Sequence, residues 1–155
     1  MARTLAILSW IGLLVIAGQA QTGPPPDIIW SCDLIHPAET RSVLGSQREP
    51  KRVPLVPDHG FAPCQFVSAV DSNRKIEVLA DWDNWVELKN AATHESGFTM
   101  LDRLGDEAFR TTSADGRTVS LHVRKGKTHL RITLFYIQDA AVQAERLARL
   151  ALERL

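Results

Sequence analysis

Residues 118–134 read Thr-Val-Ser-Leu-His-Val-Arg-Lys-Gly-Lys-Thr-His-Leu-Arg-Ile-Thr-Leu, and this stretch decides the fold. Apolar and polar residues alternate on both sides of Lys125-Gly126, which is the pattern of two antiparallel strands joined by a tight turn. If these two residues form the loop, His122 faces His129 across the hairpin. In the same register Arg124 faces Lys127, and Ser120 faces Arg131.

This register gives the hairpin two different faces. One face is apolar and is expected to be buried; it holds Val119, Leu121, Val123, Leu130, Ile132 and Leu134. The other face is polar and is expected to be wet; it holds Thr118, Ser120, His122, Arg124, Lys127, His129 and Arg131. One buried face and one solvated face are typical of an antiparallel sheet.

The flanking segments predict helices and further strands. The predicted elements are a helix from Pro37 to Gly45, strands over Cys64–Val70 and Lys75–Asp81, a helix over Asn84–Thr93 capped by Asp83, a strand over Ala108–Thr112, and a closing helix after Asp139. Residues 46–60 contain three prolines and are predicted to be a surface loop. We therefore predict an α+β domain, an antiparallel sheet of about five strands packed by N-terminal, middle and C-terminal helices in the order αββαβββα.

The length and composition indicate a single globular domain. The chain has 155 residues, of which 45% are apolar, so it can bury a core without a metal or a dense disulfide framework. It carries 18 Lys and Arg residues against 18 Asp and Glu residues. This balance argues against a protein that binds nucleic acid or anionic membranes through bulk electrostatics. The apolar content argues against disorder.

The first twenty residues are predicted to be a secretory signal peptide. Arg3 precedes an apolar run, residues 5–18, which leads to Ala20 at the expected cleavage site. This run is shorter than the roughly 20 apolar residues of a membrane-spanning helix. We predict a signal peptide over 1–20, a Pro-rich spacer over 21–30 and a single domain over 31–155. The protein is then exported, periplasmic or secreted, with no stable membrane anchor after cleavage.

Export favours a disulfide between the two cysteines, Cys32 and Cys64. In an oxidising compartment, two cysteines in a small chain more often form a disulfide than a catalytic pair. The bridge would close a loop of about 33 residues and contribute roughly 3 to 4 kcal/mol by the chain-entropy argument. The alternative is a nucleophilic Cys64 activated by His59, for which no orienting third group is evident.

The facing pair His122 and His129 is the sharpest candidate site. Opposed strand residues bring two imidazoles close enough to share Zn²⁺ or Cu²⁺, but a third ligand is missing, so we predict no metal and no cofactor. The neighbouring Arg124, Lys127 and Arg131 repel a metal cation and favour an anion or an acidic partner instead. The competing interpretation is a solvated basic sheet face that binds nothing.

Common catalytic signatures are missing from the sequence. His94-Glu95 begins like a metalloprotease zinc helix, but Phe98 stands where a second histidine is required. Asp81 and Asp83 could present paired carboxylates, although Asp83 fits better as a helix cap. There is no nucleophile elbow, phosphate-binding glycine loop or dinucleotide fingerprint.

Several short motifs follow one another along the chain. They are Cys32-Asp33-Leu34-Ile35 leading into Pro37-Ala38-Glu39 and Leu44-Gly45; Cys64 with Phe66; Leu104-Gly105-Asp106-Glu107-Ala108-Phe109; Val123-Arg124-Lys125-Gly126; and Leu147-Ala148 in the closing helix. In this order they resemble a family of small bacterial cell-envelope proteins of unknown function, many of them lipoproteins. The mid-chain motif Leu-Gly-Asp-Glu-Ala is the most specific of them.

The resemblance implies a paired Cys32 and Cys64, and helices on an antiparallel sheet similar to the PsbP-like fold of the photosystem oxygen-evolving complex. It implies no catalytic residues. Two features depart from the family: no lipidated cysteine follows the leader, and His36 stands where the family has Ser or Thr as a helix cap. The mid-chain motif itself is interpreted as structural, and its residues are Gly105, Asp106, Glu107 and Ala108. Glycine permits a tight turn, and aspartate can bond nearby backbone amides.

These observations predict a non-enzymatic exported domain that binds an unknown protein or small ligand in the cell envelope, and no nucleic acid. The polar sheet face and the Pro-rich segment 46–60 are the candidate surfaces. One alternative is a secreted or periplasmic hydrolase with an unrecognised site around His59 or the histidine pair. Another is a structural subunit of an envelope assembly.

Overall fold

The structure is a computed structural model that describes residues 29–55, 61–82 and 84–155. Its elements are β1 Ile29–Trp30, a 3₁₀ turn Ser31–Asp33, α1 Pro37–Leu44, β2 Lys51–Pro54, β3 Phe61–Ala62, β4 Cys64–Val67, β5 Lys75–Asp81, α2 Trp85–Ala92, β6 Thr99–Leu101, β7 Glu107–Thr112, β8 Thr118–Lys125, β9 Thr128–Phe135 and α3 Ala140–Leu152. The predicted signal peptide and most of the predicted spacer lie outside the described residues, as do His59 and Asp83. None of the described helices has the length and apolar character needed to cross a membrane.

Seven strands form one antiparallel sheet, in the spatial order β2-β4-β5-β9-β8-β7-β6. The short strands β1 and β3 form a separate parallel pair. The α+β class is as predicted, but the count of about five strands is wrong. The order αββαβββα is also wrong, because the helices and the strands of the main sheet follow one another as αβββαββββα.

The two strands of the main sheet that the prediction missed, β2 and β6, are its outer strands. Strand β2 lies in the segment predicted to be a Pro-rich loop, and it is mostly exposed. An outer strand pairs on one side only, so it tolerates Pro54 and shows no regular alternation. Strand β6 has three residues, and its Thr99 and Met100 are exposed. Neither strand therefore carries the apolar pattern by which the inner strands were recognised.

The predicted register of the β8–β9 hairpin is wrong by two residues. The turn consists of Gly126 and Lys127, closed by the pair Lys125 and Thr128. Gly126 has a φ of +61°, and glycine is favoured at the first position of such a two-residue turn because it adopts positive φ without strain. A shift of two leaves every side chain on its predicted face but changes its partner across the hairpin.

We call the apolar side of the sheet the first face, and it carries the main core. All six apolar residues predicted for this side of the hairpin are buried. Helix α3 packs on β8 and β9 and buries Ala144, Leu147, Ala148 and Ala151 against them, as predicted. Helix α1 adds Val43 and Leu44 to the same cluster. It begins at Pro37 and ends before a left-handed Gly45, which confirms the predicted start and stop.

The opposite side, which we call the second face, is partly covered by α2. This helix begins after Asn84, and it contributes Trp85, Leu88 and Ala92 to a second, smaller apolar cluster. Phe98 and Phe109 complete the cluster. The prediction that this face is wet is therefore wrong where α2 covers it.

Candidate functional site

A chain of three buried polar side chains crosses the second face beneath α2. Asp81, at the end of β5, lies directly opposite His129 on β9, and its Oδ1 is 2.9 Å from His129 Nδ1. The other ring nitrogen, His129 Nε2, is 3.1 Å from His122 Nδ1 on β8. His122 is opposite Arg131 in the sheet, so the two histidines are diagonal neighbours. They meet although the predicted facing register was wrong.

Aromatic rings exclude water from this chain. The ring of His122 stacks between His129, at 5.2 Å, and Phe109, at 4.6 Å. Trp85 presents an edge to His129 at 5.8 Å and lies 5.2 Å from Phe109. As a result His122 is 7% exposed and His129 is 2% exposed. A buried polar group must be hydrogen-bonded to be tolerated, and the Asp81–His129–His122 chain meets that need.

The environment of His122 disfavours its charged form. Burial lowers the pKa of His122 to about 3, and electrostatic repulsion by His129 and Arg131 acts in the same direction, while Asp81 opposes them. His122 is therefore a neutral imidazole at neutral pH. A neutral ring has one nitrogen that donates and one that accepts, so it can complete the hydrogen bond to His129 without a second buried charge.

Glu107 holds α2 against the second face. Its carboxylate accepts hydrogen bonds from Trp85 Nε1, at 2.6 Å, and from Lys89 Nζ, both on α2. The Lys89 hydrogen bond, followed by that of Trp85, lowers the pKa of Glu107. Arg124 lies 3.7 Å from the same carboxylate. The residue that orients the covering helix thus belongs to the Leu-Gly-Asp-Glu-Ala motif.

The other residues of this motif contact the β8–β9 hairpin or the core. Gly105 has a φ of +62°, and a Cβ at this position would lie 2.5 Å from the Arg124 carbonyl oxygen. The backbone nitrogen of Asp106 donates to that same carbonyl, and its Oδ2 accepts a hydrogen bond from the Gly126 backbone at 2.7 Å. Ala108 is fully buried in the first-face core. The geometry of the motif supports its structural interpretation.

Of the five residues of the predicted anion or partner face, two are buried and three are at least partly exposed. His122 and His129 are buried. The side chain of Arg124 is 36% exposed and is engaged with Asp106 and Glu107. Lys127 is exposed in the turn, and Arg131 is half-buried beside His122. The accessible basic surface is therefore smaller than the sequence suggested.

The histidine pair is arranged in series, and its geometry is that of a hydrogen-bonded chain. Both ring nitrogens of His129, and Nδ1 of His122, lie within hydrogen-bond distance of a protein partner. In the part of the chain that the structure describes, no three His, Cys, Asp or Glu side chains are grouped so as to hold a metal ion. Asp81 was missed as a partner of His129 because the two residues are 48 positions apart.

Cys32 and Cys64 form a disulfide, with their sulfur atoms 1.96 Å apart and their Cα atoms 5.0 Å apart. Both residues are buried. This confirms the predicted pairing. It also removes the thiol that a nucleophilic Cys64 would require, and the base proposed for it, His59, lies outside the described residues.

A cleft that sequence reasoning missed lies on the second face beside the C-terminal end of α2. Its volume is about 290 Å³, and we call it the hydroxyl cleft because six of its seven lining residues carry a hydroxyl group. The lining residues are Glu95, Ser96, Thr111, Thr112, Ser113, Thr118 and Ser120. The only sequence signal was the polar run Thr111-Thr112-Ser113, which is equally typical of a strand entering a turn.

No protein family, curated protein or solved structure matches the chain. The resemblance to small bacterial cell-envelope proteins, and the PsbP-like fold that it implies, therefore stay predictions.

Proposed function

We propose that this protein is an exported, disulfide-stabilised, non-enzymatic domain that binds a small ligand in the cell envelope. The hydroxyl cleft is the observation that carries the proposal. It is a concave site, and its several hydrogen-bonding groups can fix the orientation of a small molecule. Its floor is formed by β7 and β8, and the turn after α2 supplies one wall.

Two observations support export. The N-terminal sequence has the charge, apolar run and small residues of a signal peptide. The described part of the chain contains a buried disulfide, and such bonds persist in oxidising compartments.

Three features support binding over catalysis. Both ring nitrogens of His129 are already bonded, to Asp81 and to His122. The low pKa of His122 makes it a weak base at neutral pH, because a general base works best when its pKa is near the working pH. Cys64 is held in a disulfide and cannot act as a nucleophile. A hydrolase built on the histidine pair would need groups that the second face already uses for packing.

The test is native mass spectrometry of the protein purified from the cells that produce it. We expect a reproducible additional mass that is lost on denaturation, and a denatured mass consistent with leader removal and one disulfide. A matched pair of variants tests whether the ligand binds in the cleft. Ser96 and Ser72 are both exposed serines in turns, but only Ser96 lines the cleft. Ser96→Trp should lose the additional mass, and Ser72→Trp should retain it.

A protein that carries no additional mass in repeated preparations would contradict the proposal. So would an additional mass that survives in Ser96→Trp, because the ligand would then lie elsewhere. A denatured mass that includes residues 1–20 would contradict cleavage of the leader.

A further inference from the structure

The residues that line the hydroxyl cleft indicate the class of molecule that it can bind. Its lining combines six hydroxyl groups with a single carboxylate, that of Glu95. Among the lining residues there is no Lys, Arg or His. An anion would meet one negative charge and no compensating positive one, and a metal cation would find too few carboxylates. The lining is therefore matched to a neutral polar molecule.

The hydroxyl groups retain hydrogen-bonding capacity. Ser113 is committed to its own turn, since it donates to Asp115 and accepts from the Thr118 backbone. Ser120 shares one hydrogen bond with Thr133, at 3.1 Å. A hydroxyl group can donate one hydrogen bond and accept two, so Ser120 can still bond a ligand. Across the described residues, the side chains of Thr111 and Thr118 are not used in such internal bonds.

The cleft also offers small apolar surfaces beside these groups. Three of the lining residues, Thr111, Thr112 and Thr118, carry a methyl group as well as a hydroxyl group. A sugar ring suits a lining of hydroxyl and methyl groups, because it displays hydroxyl groups around its edge and C–H groups on its faces.

We propose that the hydroxyl cleft binds one neutral saccharide unit, with Glu95 accepting hydrogen bonds from two adjacent sugar hydroxyls. A carboxylate has two acceptor oxygens and can take both bonds at once. A volume of about 290 Å³ is at the small end of ligand pockets, which fits one ring better than a longer chain. This inference rests on the proposed function and specifies its ligand class.

The experiment is an NMR titration of the folded, disulfide-bonded protein with glucose, N-acetylglucosamine and methyl mannoside, and with inorganic phosphate as the charged probe. We expect saturable shifts of the Thr111, Thr118 and Ser120 amides with at least one sugar, and none with phosphate. Glu95→Gln should weaken binding about tenfold, which corresponds to about 1.4 kcal/mol. Glu87→Gln is the matched control, because Glu87 is an exposed carboxylate on the neighbouring helix α2 that does not line the cleft.

The outcomes separate the two proposals. Binding of phosphate in place of the sugars, or sugar shifts that map away from the cleft, overturns the saccharide inference. If the protein from its own cells loses a bound mass in Ser96→Trp, and that mass is not a saccharide, the binding function stands and the ligand class is wrong. If no sugar binds and no mass is carried, both fail. Should Ser96→Trp not fold, Glu95→Gln decides, since this exposed substitution leaves the packing intact.

Discussion

The two faces of the sheet are stabilised by different interactions. The first face is closed by α1 and α3 with aliphatic side chains, most of them fully buried. The second face is closed over part of its area by α2, which rests on a few rings and on the carboxylate of Glu107. It also holds the histidine chain and the hydroxyl cleft. The first face therefore provides most of the apolar burial, whereas the buried polar groups and the cleft lie on the second face.

The largest effect should come from the first face. Leu147 of α3 is fully buried, so Leu147→Ala removes packing and leaves a cavity. We expect the free energy of unfolding to fall by about 2 to 5 kcal/mol, measured by denaturant titration. Val142 on the same helix is 66% exposed, and Val142→Ala should change little. Equal effects of the two substitutions would show that packing on the first face does not set the stability of the domain.

Acid should act on the second face through His122. Its pKa is about 3 in the folded protein against 6.5 for the free side chain, so the unfolded chain binds a proton more readily. The stability that depends on neutral His122 is complete above pH 6.5 and is lost as the pH falls toward 3. Between pH 7 and pH 4 the wild type should lose about 3 kcal/mol more than His122→Asn, in denaturant titrations at each pH.

The control for this prediction is His94→Asn, which alters an exposed histidine and should keep the acid sensitivity of the wild type. Glu39 adds a separate acid effect at lower pH, because the hydrogen bond from Arg154 lowers the pKa of Glu39 to about 2. That effect is common to all three proteins and cancels in the difference. If His122→Asn is as acid-sensitive as the wild type, His122 does not carry the pH dependence.

A smaller and more local effect should follow from loss of the Glu107 carboxylate. Glu107→Ala leaves Trp85 Nε1 without its partner and removes the ion pair to Lys89. We expect a loss of about 2 kcal/mol and faster amide hydrogen exchange in α2, with α3 unchanged. Glu87→Ala, at an exposed position of α2, is the control. Equal acceleration in α2 and α3 would show that the two faces open together.

The smallest effect is expected at Asp106. Asp106→Ala removes the hydrogen bond to the Gly126 backbone and should cost about 1 kcal/mol, seen as a modest fall in melting temperature. A variant that keeps its melting temperature but loses ligand or partner binding would show that the motif has a direct functional role and is not merely structural.

The sequence was most informative where periodicity and burial agree. Alternation from Val119 to Leu134 predicted the first face, and the pattern after Asp139 predicted the helix that covers it. The outer strands β2 and β6 were missed because they pair on one side only and need no apolar repeat. Two-residue alternation also cannot distinguish registers that differ by two, so the hairpin partners were wrong although the faces were right.

The second face was harder to predict because its contacts join distant parts of the chain. His122 and His129 were recognised as a pair, but the pairing of His129 with Asp81 depends on the neighbouring strand β5. The position of α2 over the histidines depends on Trp85 and Glu107, which are 22 residues apart. A tertiary contact of this kind leaves no periodic trace, and the polar residues that it buries look like surface residues.

The outer strands of the sheet have a consequence for self-association. Strand β2 carries Lys51 and Arg52, follows Pro50 and ends at Pro54, so a second strand cannot readily add to it. Strand β6, by contrast, contains Thr99, Met100 and Leu101, with neither a charge nor a proline. An edge-to-edge contact between two copies would therefore use β6 in both. A contact that uses the same edge twice closes on itself as a two-fold pair, whereas an open-ended fibre would need β2 as its second edge.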